Sequence, residues 1–486
     1  MLDFTDLPKQ WLIAPELPGD PVAGKRDAFA GWQIAAAEVV PILQLCDAAG
    51  AEVGRLIGWV IDGTEFHRAD ATLTLTPGET PEDRFARLAG RFVMLWCGAD
   101  GRLRLREDAS GGLPAVHVPE ARLIGSTVTL LDQLHALEVD PEIEAIFDFP
   151  ARRGFLPFGL TPRRGAHRLM PNHVLELDGF TTARVWPDPA LCARPDLNEV
   201  QIAALVDEAA DILRRHMAAI LSQGETVLYL SGGHDSRISL SAARDHTDRL
   251  FAQTFGDVRS LDAHVAQQVA KQAGIRHELI PLKKATSADV QSWLHRSGRM
   301  TYSAVSRFSV TAVANAPLDN PVGGTGAELI RGSNWNHSDI DRFEIDFDTL
   351  RIGIYMPYMP DHPLVRSAGN AWLYGLPNMD SAMALDLAKI EQIHGCWSGT
   401  AVYGHPMFHP TIFPFSGQRL NEIVLSMPKT YRRENKMFSD LLRHLWPDLL
   451  EVPVNRATGL ARLRFWREEA RAVLPGRIKR ALKALR

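Results

Sequence analysis

Cysteine is scarce in this chain: four in 486 residues, at Cys46, Cys97, Cys192 and Cys396, with no CxxC pair. Such scatter argues against a structural zinc site and predicts a reducing compartment. There is no run of about 18 apolar residues, so no membrane span is expected. The opening Met1-Leu2-Asp3-Phe4-Thr5-Asp6 is acidic and lacks the basic region and apolar core of a signal peptide, which predicts a cytoplasmic protein. Charge is nearly balanced at −5, which gives no support for nucleic-acid binding. A GK[ST] ending of the Walker type is absent. The apolar fraction of 45% and charged fraction of 23% are those of a globular protein. The length predicts two or three domains. The basic stretch Arg477, Lys479, Arg480, Lys483 and Arg486 reads as a solvated helix face, with a contact for an acidic partner as the alternative.

What stands out is Val227-Leu228-Tyr229-Leu230-Ser231-Gly232-Gly233-His234-Asp235-Ser236-Arg237. An apolar strand runs into two glycines and then into helical spacing, with Ile238, Leu240 and Ala243 free to face a sheet. A strand, a glycine turn and a helix N-terminus form an anion site, because free backbone N–H groups and the positive end of the helix dipole converge there. The glycines are expected to supply positive φ and close approach to a phosphate. Ser231 and Ser236 would add hydroxyl donors. Asp235 beside phosphates requires a cation between them, and Mg²⁺ takes carboxylate and phosphate oxygens together. The plain alternative is a Gly-Gly turn between a core strand and a helix.

Up to about residue 185 the chain reads mostly as strands. Thr72–Thr76 and Arg102–Arg106 alternate with period two, and Arg91–Cys97 is largely apolar. His173–Leu177 and Thr182–Trp186 flank Asp178-Gly179 as a hairpin. Short helices are predicted near 81–89 and 140–148. Prolines 187, 189 and 195 mark a break. A long amphipathic helix is predicted over 198–222. Strands over 227–230, 250–256 and 277–282, with a helix over about 260–273, predict a parallel sheet with helices on both faces. The Ser231 loop and the Gly256-Asp257 turn then fall at strand carboxyl ends, where such sheets bind ligands. The fold class expected is α/β and α+β, with a layered N-terminal domain over 1–188 and a parallel-sheet domain over 198–486.

Six landmarks in order resemble the asparagine synthetase and β-lactam synthetase superfamily. They are Gly90-Arg91-Phe92 with Arg106–Pro114; Arg168–His173; the Ser231–Arg237 loop; Thr254-Phe255-Gly256-Asp257 with Asp262; Gly323-Gly324-Thr325-Gly326-Ala327-Glu328; and Pro414-Phe415 with Lys436–Arg443. The resemblance spans nearly the whole chain. It implies an N-terminal glutaminase-like domain of the Ntn type and a C-terminal ATP-pyrophosphatase-like synthetase domain. It implies ATP and Mg²⁺ as cofactors, with Leu230, Ser231, Gly232, Gly233, Asp235, Ser236, Thr254, Phe255, Gly256, Gly324 and Gly326 at the nucleotide and Asp235 and Glu328 at the metal.

Departures from the family pattern carry functional meaning. Glutamine-dependent members need a cysteine immediately after Met1; here it is Leu2, so no glutaminase activity is expected. Glu328 stands where the family usually has Asp. The family's catalytic lysine falls at Arg456, an arginine that hardly shuttles protons; Lys436 is the alternative cation. Losing the ammonia source implies an amine already on the substrate or on a second molecule, as in β-lactam synthetases and lasso-peptide cyclases. The expected activity is ATP-dependent amide-bond formation through an acyl-adenylate, most like macrolactam cyclisation of a lasso precursor peptide. A leader peptidase and a leader-recognition protein would be its partners. Aromatics over 330–412 (Trp335, Tyr355, Tyr358, Trp372, Tyr374, Trp397, Tyr403, Phe408) could line a peptide groove or serve as core. Two alternatives stand: an amide ligase or amidotransferase on a small metabolite or surface-sugar precursor, and a non-catalytic nucleotide-binding partner.

Overall fold

The computed structural model describes residues 2–302, 320–333, 335, 345–353, 359–407, 409–459 and 461–466. Tyr355, Tyr358, Phe408 and the basic stretch over 477–486 lie outside them.

The first 185 residues form two antiparallel-rich sheets. One has six strands in the order His167–Arg168, Val116–Val118, Leu123–Gly125, Trp11–Ala14, Trp32–Ala37, Gly24–Phe29. The other has eight and is centred on the pairing of Glu52–Asp62 with Ala89–Cys97. The alternating segments fall here as the period-two pattern predicts. Leu103–Glu107 returns against Ala89–Cys97, and His173–Glu176 pairs with Thr181–Arg184. The Thr72–Thr76 expectation becomes an edge strand, Ala71–Thr74, which runs parallel to Ile42–Cys46. Helix Pro81–Arg87 starts at a Thr80/Asp83 capping box. It covers the outer apolar face of the larger sheet, where Phe85 and Phe92 meet edge to face.

After the proline break, helix Glu199–Leu221 starts at Asn198, whose side chain accepts from the Gln201 N–H, and buries Leu213, Met217 and Ile220. A four-stranded parallel sheet follows, in the order His277–Ile280, Leu250–Phe255, Thr226–Tyr229, Pro321–Val322. The chain is therefore of mixed α/β class, with antiparallel-rich sheets in its first part and a parallel sheet in its second. One continuous core runs from Leu2 to Phe465 through both parts.

Buried polar contacts join them. Glu391, fully buried, accepts from Arg184 (2.5 and 2.9 Å), from Trp372 Nε1 (2.6 Å) and from Asn172 (3.1 Å). The Tyr403 hydroxyl donates to Pro114 O at 2.8 Å, and Gly90 N–H donates to Ser416 Oγ at 2.8 Å.

Candidate functional site

Three strands of the parallel sheet end side by side, and the loops leaving their carboxyl ends build the site. The first is Leu230–His234, which feeds helix Asp235–Ala242. No side chain caps this helix, so the N–H groups of its first turn have no capping acceptor.

The loop is held mostly by itself and its neighbours. Ser231 N–H donates to Ser236 Oγ (2.9 Å), and the two serine hydroxyls lie 3.1 Å apart. Gly233 N–H donates to Ser231 Oγ (3.2 Å), and Gly232 N–H to Asp262 Oδ1 (2.8 Å). The serine hydroxyl oxygens brace the loop by accepting from its own N–H groups. One expectation is corrected. Neither Gly232 nor Gly233 takes a positive φ. Gly232 is required by space instead: a Cβ there would lie 2.8 Å from Val265 Cβ.

The second loop begins at Thr254-Phe255-Gly256. Thr254 Oγ1 donates to Leu230 O at 2.6 Å and lies 2.9 Å from His277 Nε2, so this hydroxyl ties the strand end to the loop. Phe255 meets the Tyr229 ring edge-on, with centroids 5.0 Å apart. Gly256 sits at φ +151°.

The third loop is Gly323–Gly326. Gly324 comes so close that a Cβ would lie 2.6 Å from Ser236 N and 2.7 Å from Asp235 C. Gly326, at φ +99°, turns the chain so that its N–H donates to Glu328 Oε2 at 2.7 Å.

Asp235 and Glu328 are thereby brought together, each held by cations. Arg331 donates to Asp235 Oδ1 at 2.8 Å. Glu328 Oε1 lies 3.0 Å from His394 Nε2 and 3.3 Å from Lys389 Nζ. Burial raises the Asp235 carboxyl above its ordinary value; Arg331 pulls against it and the nearby Glu328 adds to it. Burial alone would also raise Glu328, but Lys389 and His394 outweigh it and hold this carboxyl well below the usual range. Asp235 is half-buried and ion-paired at a helix start.

Among the described residues no three metal-ligating side chains converge. Mg²⁺ characteristically uses only one or two carboxylates and completes its shell with water and phosphate, so the Asp235–Glu328 pair beside an uncapped helix start has the donor chemistry it needs.

The two candidate catalytic cations part company. Lys436 is exposed and pairs with Glu434 at 2.7 Å. Arg456, also exposed, follows Asn455, whose N–H donates to Gly232 O at 3.0 Å. The chain thus carries Arg456 to the loop and gives Lys436 a surface partner.

A cavity of 520 Å³ opens from this edge toward the antiparallel sheets. Tyr229, Phe255, Gly324 and Glu328 line it, together with Lys9, Arg91 and His405. Of the described aromatics expected to line a groove, only Trp397 does so. Trp335 and Trp372 are core residues whose indole N–H groups satisfy Asp386 and Glu391. Tyr403 is buried against Pro114, and Tyr374 is 88% exposed.

Sequence reasoning missed Arg331, Lys389, His394 and Asn455. Lys389 and His394 lie on the π-helical stretch Lys389–Gly399, where residues five apart share a face. A search at α-helical spacing does not pair them. No protein-family model and no curated protein matches this chain.

Proposed function

We propose that the protein is an ATP-dependent carbon–nitrogen ligase of the asparagine synthetase type, which joins a carboxylate to an amine through an acyl-adenylate. On this reading residues 1–188 are a glutaminase-like domain without its nucleophile, and 198–486 are the adenylating domain. The observation that carries it is the Ser231–Ser236 loop at three strand carboxyl ends, with Asp235 and Glu328 meeting beside it. Leu2 is consistent with the lost glutaminase: its side chain is only 1% exposed, packed in the core where a nucleophile would need access.

Bound Mg·ATP would supply an electrophilic α-phosphorus and a pyrophosphate leaving group. The chain's own residues do the rest. The uncapped N–H groups of Asp235–Ala242 and the helix dipole bind phosphate oxygens. Asp235 and Glu328 would hold the cation, and without it they pair with Arg331 and Lys389. Arg456, next to Asn455 on the loop, would supply a guanidinium for the charge that develops on departing oxygens. The cavity orients the acid and the amine together and excludes water. Such alignment is worth up to about 7–11 kcal/mol of barrier.

The substrate we infer is a peptide that supplies both groups, so that the product is a macrolactam. A linear peptide with a free N-terminus and an interior Asp or Glu should lose one water in mass when incubated with ATP, the protein and its leader-processing partners. No mass change, alongside pyrophosphate exchange with a free small acid, would instead assign a metabolite ligase. One observation favours that second reading: 520 Å³ lies within the range of small-molecule pockets.

A further inference from the structure

Lys9 comes two residues before strand Trp11–Ala14, in the antiparallel part of the chain. It is 1% exposed, yet it lines the same cavity as Gly324 and Glu328. Its segment is pinned by the neighbouring Gln10. That side chain donates to Arg296 O at 2.7 Å and accepts from Ser126 Oγ (3.0 Å) and Thr127 Oγ1 (2.7 Å). The Lys9 amine donates to two carbonyls, His405 O at 2.5 Å and Met407 O.

These contacts suit an uncharged amine. An ammonium has three donors and no lone pair. A neutral amine has two donors, which the two carbonyls use, and a lone pair left for what the cavity holds. The surrounding charges act in the same direction. The charged groups acting on Lys9 are Arg296 and Arg91, both positive, and no carboxylate pairs with it among the described residues. Arg91 is itself buried, donating to Thr411 O at 2.6 Å and Gly112 O at 2.5 Å with its guanidinium 4.4 Å from the centre of the Phe413 ring. His405 stays uncharged through its own burial. An unpaired ammonium buried among cations is costly, and releasing its proton removes that cost. Burial, with Arg296 and Arg91 adding to it, brings the Lys9 ammonium down to about 7.

We infer that Lys9 is the general base of the amide-forming step, supplied to the cavity by the antiparallel part of the chain. This rests on the proposed ligase reading. A substrate α-amine, with an ordinary value of about 7.7–8.0, arrives mostly as ammonium. It passes one proton to the Lys9 lone pair. The freed amine attacks the acyl carbon of the adenylate. The C–N bond forms, the C–O bond to AMP breaks, and AMP leaves with that electron pair. The second proton on nitrogen goes to the AMP phosphate. Lys9, now an ammonium repelled by Arg91 and Arg296, returns its proton to water. A base poised near neutral pH fits this task. Arg456 does not, because a guanidinium keeps its proton.

Two measurements test the assignment. Protein carrying carbon-13 at its lysine ε-carbons, titrated by NMR, should show one lysine with a midpoint near 7, absent from Lys9→Met. If every lysine midpoint lies above about 9, the base is overturned. Turnover of a linear peptide with a free N-terminus and an interior Asp gives the second test. Lys9→Met should lower amide formation about a hundred-fold or more relative to pyrophosphate exchange by the same protein. Hydroxylamine, already a free base at neutral pH, should restore acyl transfer in that variant as a hydroxamate. Lys9→Arg keeps the donors but holds its proton, so it should be impaired in the same way. An unchanged ratio of amide to exchange in Lys9→Met would overturn the base. So would a stable acyl adduct on Lys9, which would make it a nucleophile. Should neither variant fold, a wild-type titration without the midpoint near 7 still overturns the proposal. Wild type without any exchange fails the ligase reading, and the base role with it; intact exchange with an unchanged ratio fails Lys9 alone.

Discussion

Gly324 is the residue where backbone geometry and proposed chemistry meet most closely. Its neighbours at 2.6 and 2.7 Å are backbone atoms of Ser236 and Asp235, which cannot swing aside as a side-chain tip can. Gly324→Ala should therefore displace the first turn of the loop helix and lower ATP–pyrophosphate exchange by at least about ten-fold. Wild-type exchange in that variant would show that the close approach is not needed. Asp235→Asn asks a different question, because shape is kept and charge removed. Exchange should fall about a hundred-fold or more, the scale seen when one preorganised electrostatic group is lost. The melting temperature should shift little, because a half-buried pair with Arg331 contributes modestly to stability. A variant that exchanges normally would remove Asp235 from the metal.

At the scale of elements, the π-helical stretch Lys389–Gly399 serves both the site and the scaffold. One side gives Lys389 and His394 to Glu328; another gives Glu391 to Arg184, Trp372 and Asn172. Glu391→Ala would leave the Arg184 charge buried without its partner. It should cost about 3–5 kcal/mol, read as a lowered urea midpoint. Glu208→Ala, which breaks an exposed pair with Arg419, should cost under about 1 kcal/mol in the same assay. Equal midpoints for the two variants would show that the buried cluster does not hold the elements together. Much of this scale was legible beforehand. The largely apolar strand Ala89–Cys97, the period-two strand Leu103–Glu107, the amphipathic helix Glu199–Leu221 and the strand–loop–helix at Thr226–Ala242 carry local signals: an apolar run, alternation, helical spacing, a glycine turn. The basic side chains around Asp235 and Glu328 carried none. Arg331, Lys389 and His394 reach the site through a left-handed glycine turn and a five-residue helical repeat, and Lys9 reaches the cavity from nearly 400 residues before His405. Contacts that depend on tertiary closure leave no periodic trace in the chain.

For the whole molecule, buried imidazoles set the acid limit. Burial lowers His117 and His216 to about 4 and His405 to about 3, from an ordinary 6.5. The folded state keeps them neutral while the unfolded chain takes up protons below about pH 6.5, so stability is lost as pH falls from 6.5 toward 4. Glu107 works in the opposite sense. Burial raises it to about 8, so the folded state holds a proton that the unfolded chain has released above about pH 4.5. The melting temperature should drop between pH 6.5 and 5, three imidazoles outweighing one carboxyl, and Glu107→Gln should make the drop steeper; a flat profile in both would contradict the assignment. The central claim concerns the nucleotide. The loop at Leu230–Asp235 lacks the lysine of a Walker site, and on the proposed reading Asp235 and Glu328 would hold Mg²⁺. Chromatographic separation of the nucleotide products after turnover with an acceptor peptide or acid tests it most directly. AMP and pyrophosphate are the predicted products, in step with amide formed; ADP and phosphate as the main products would contradict the account.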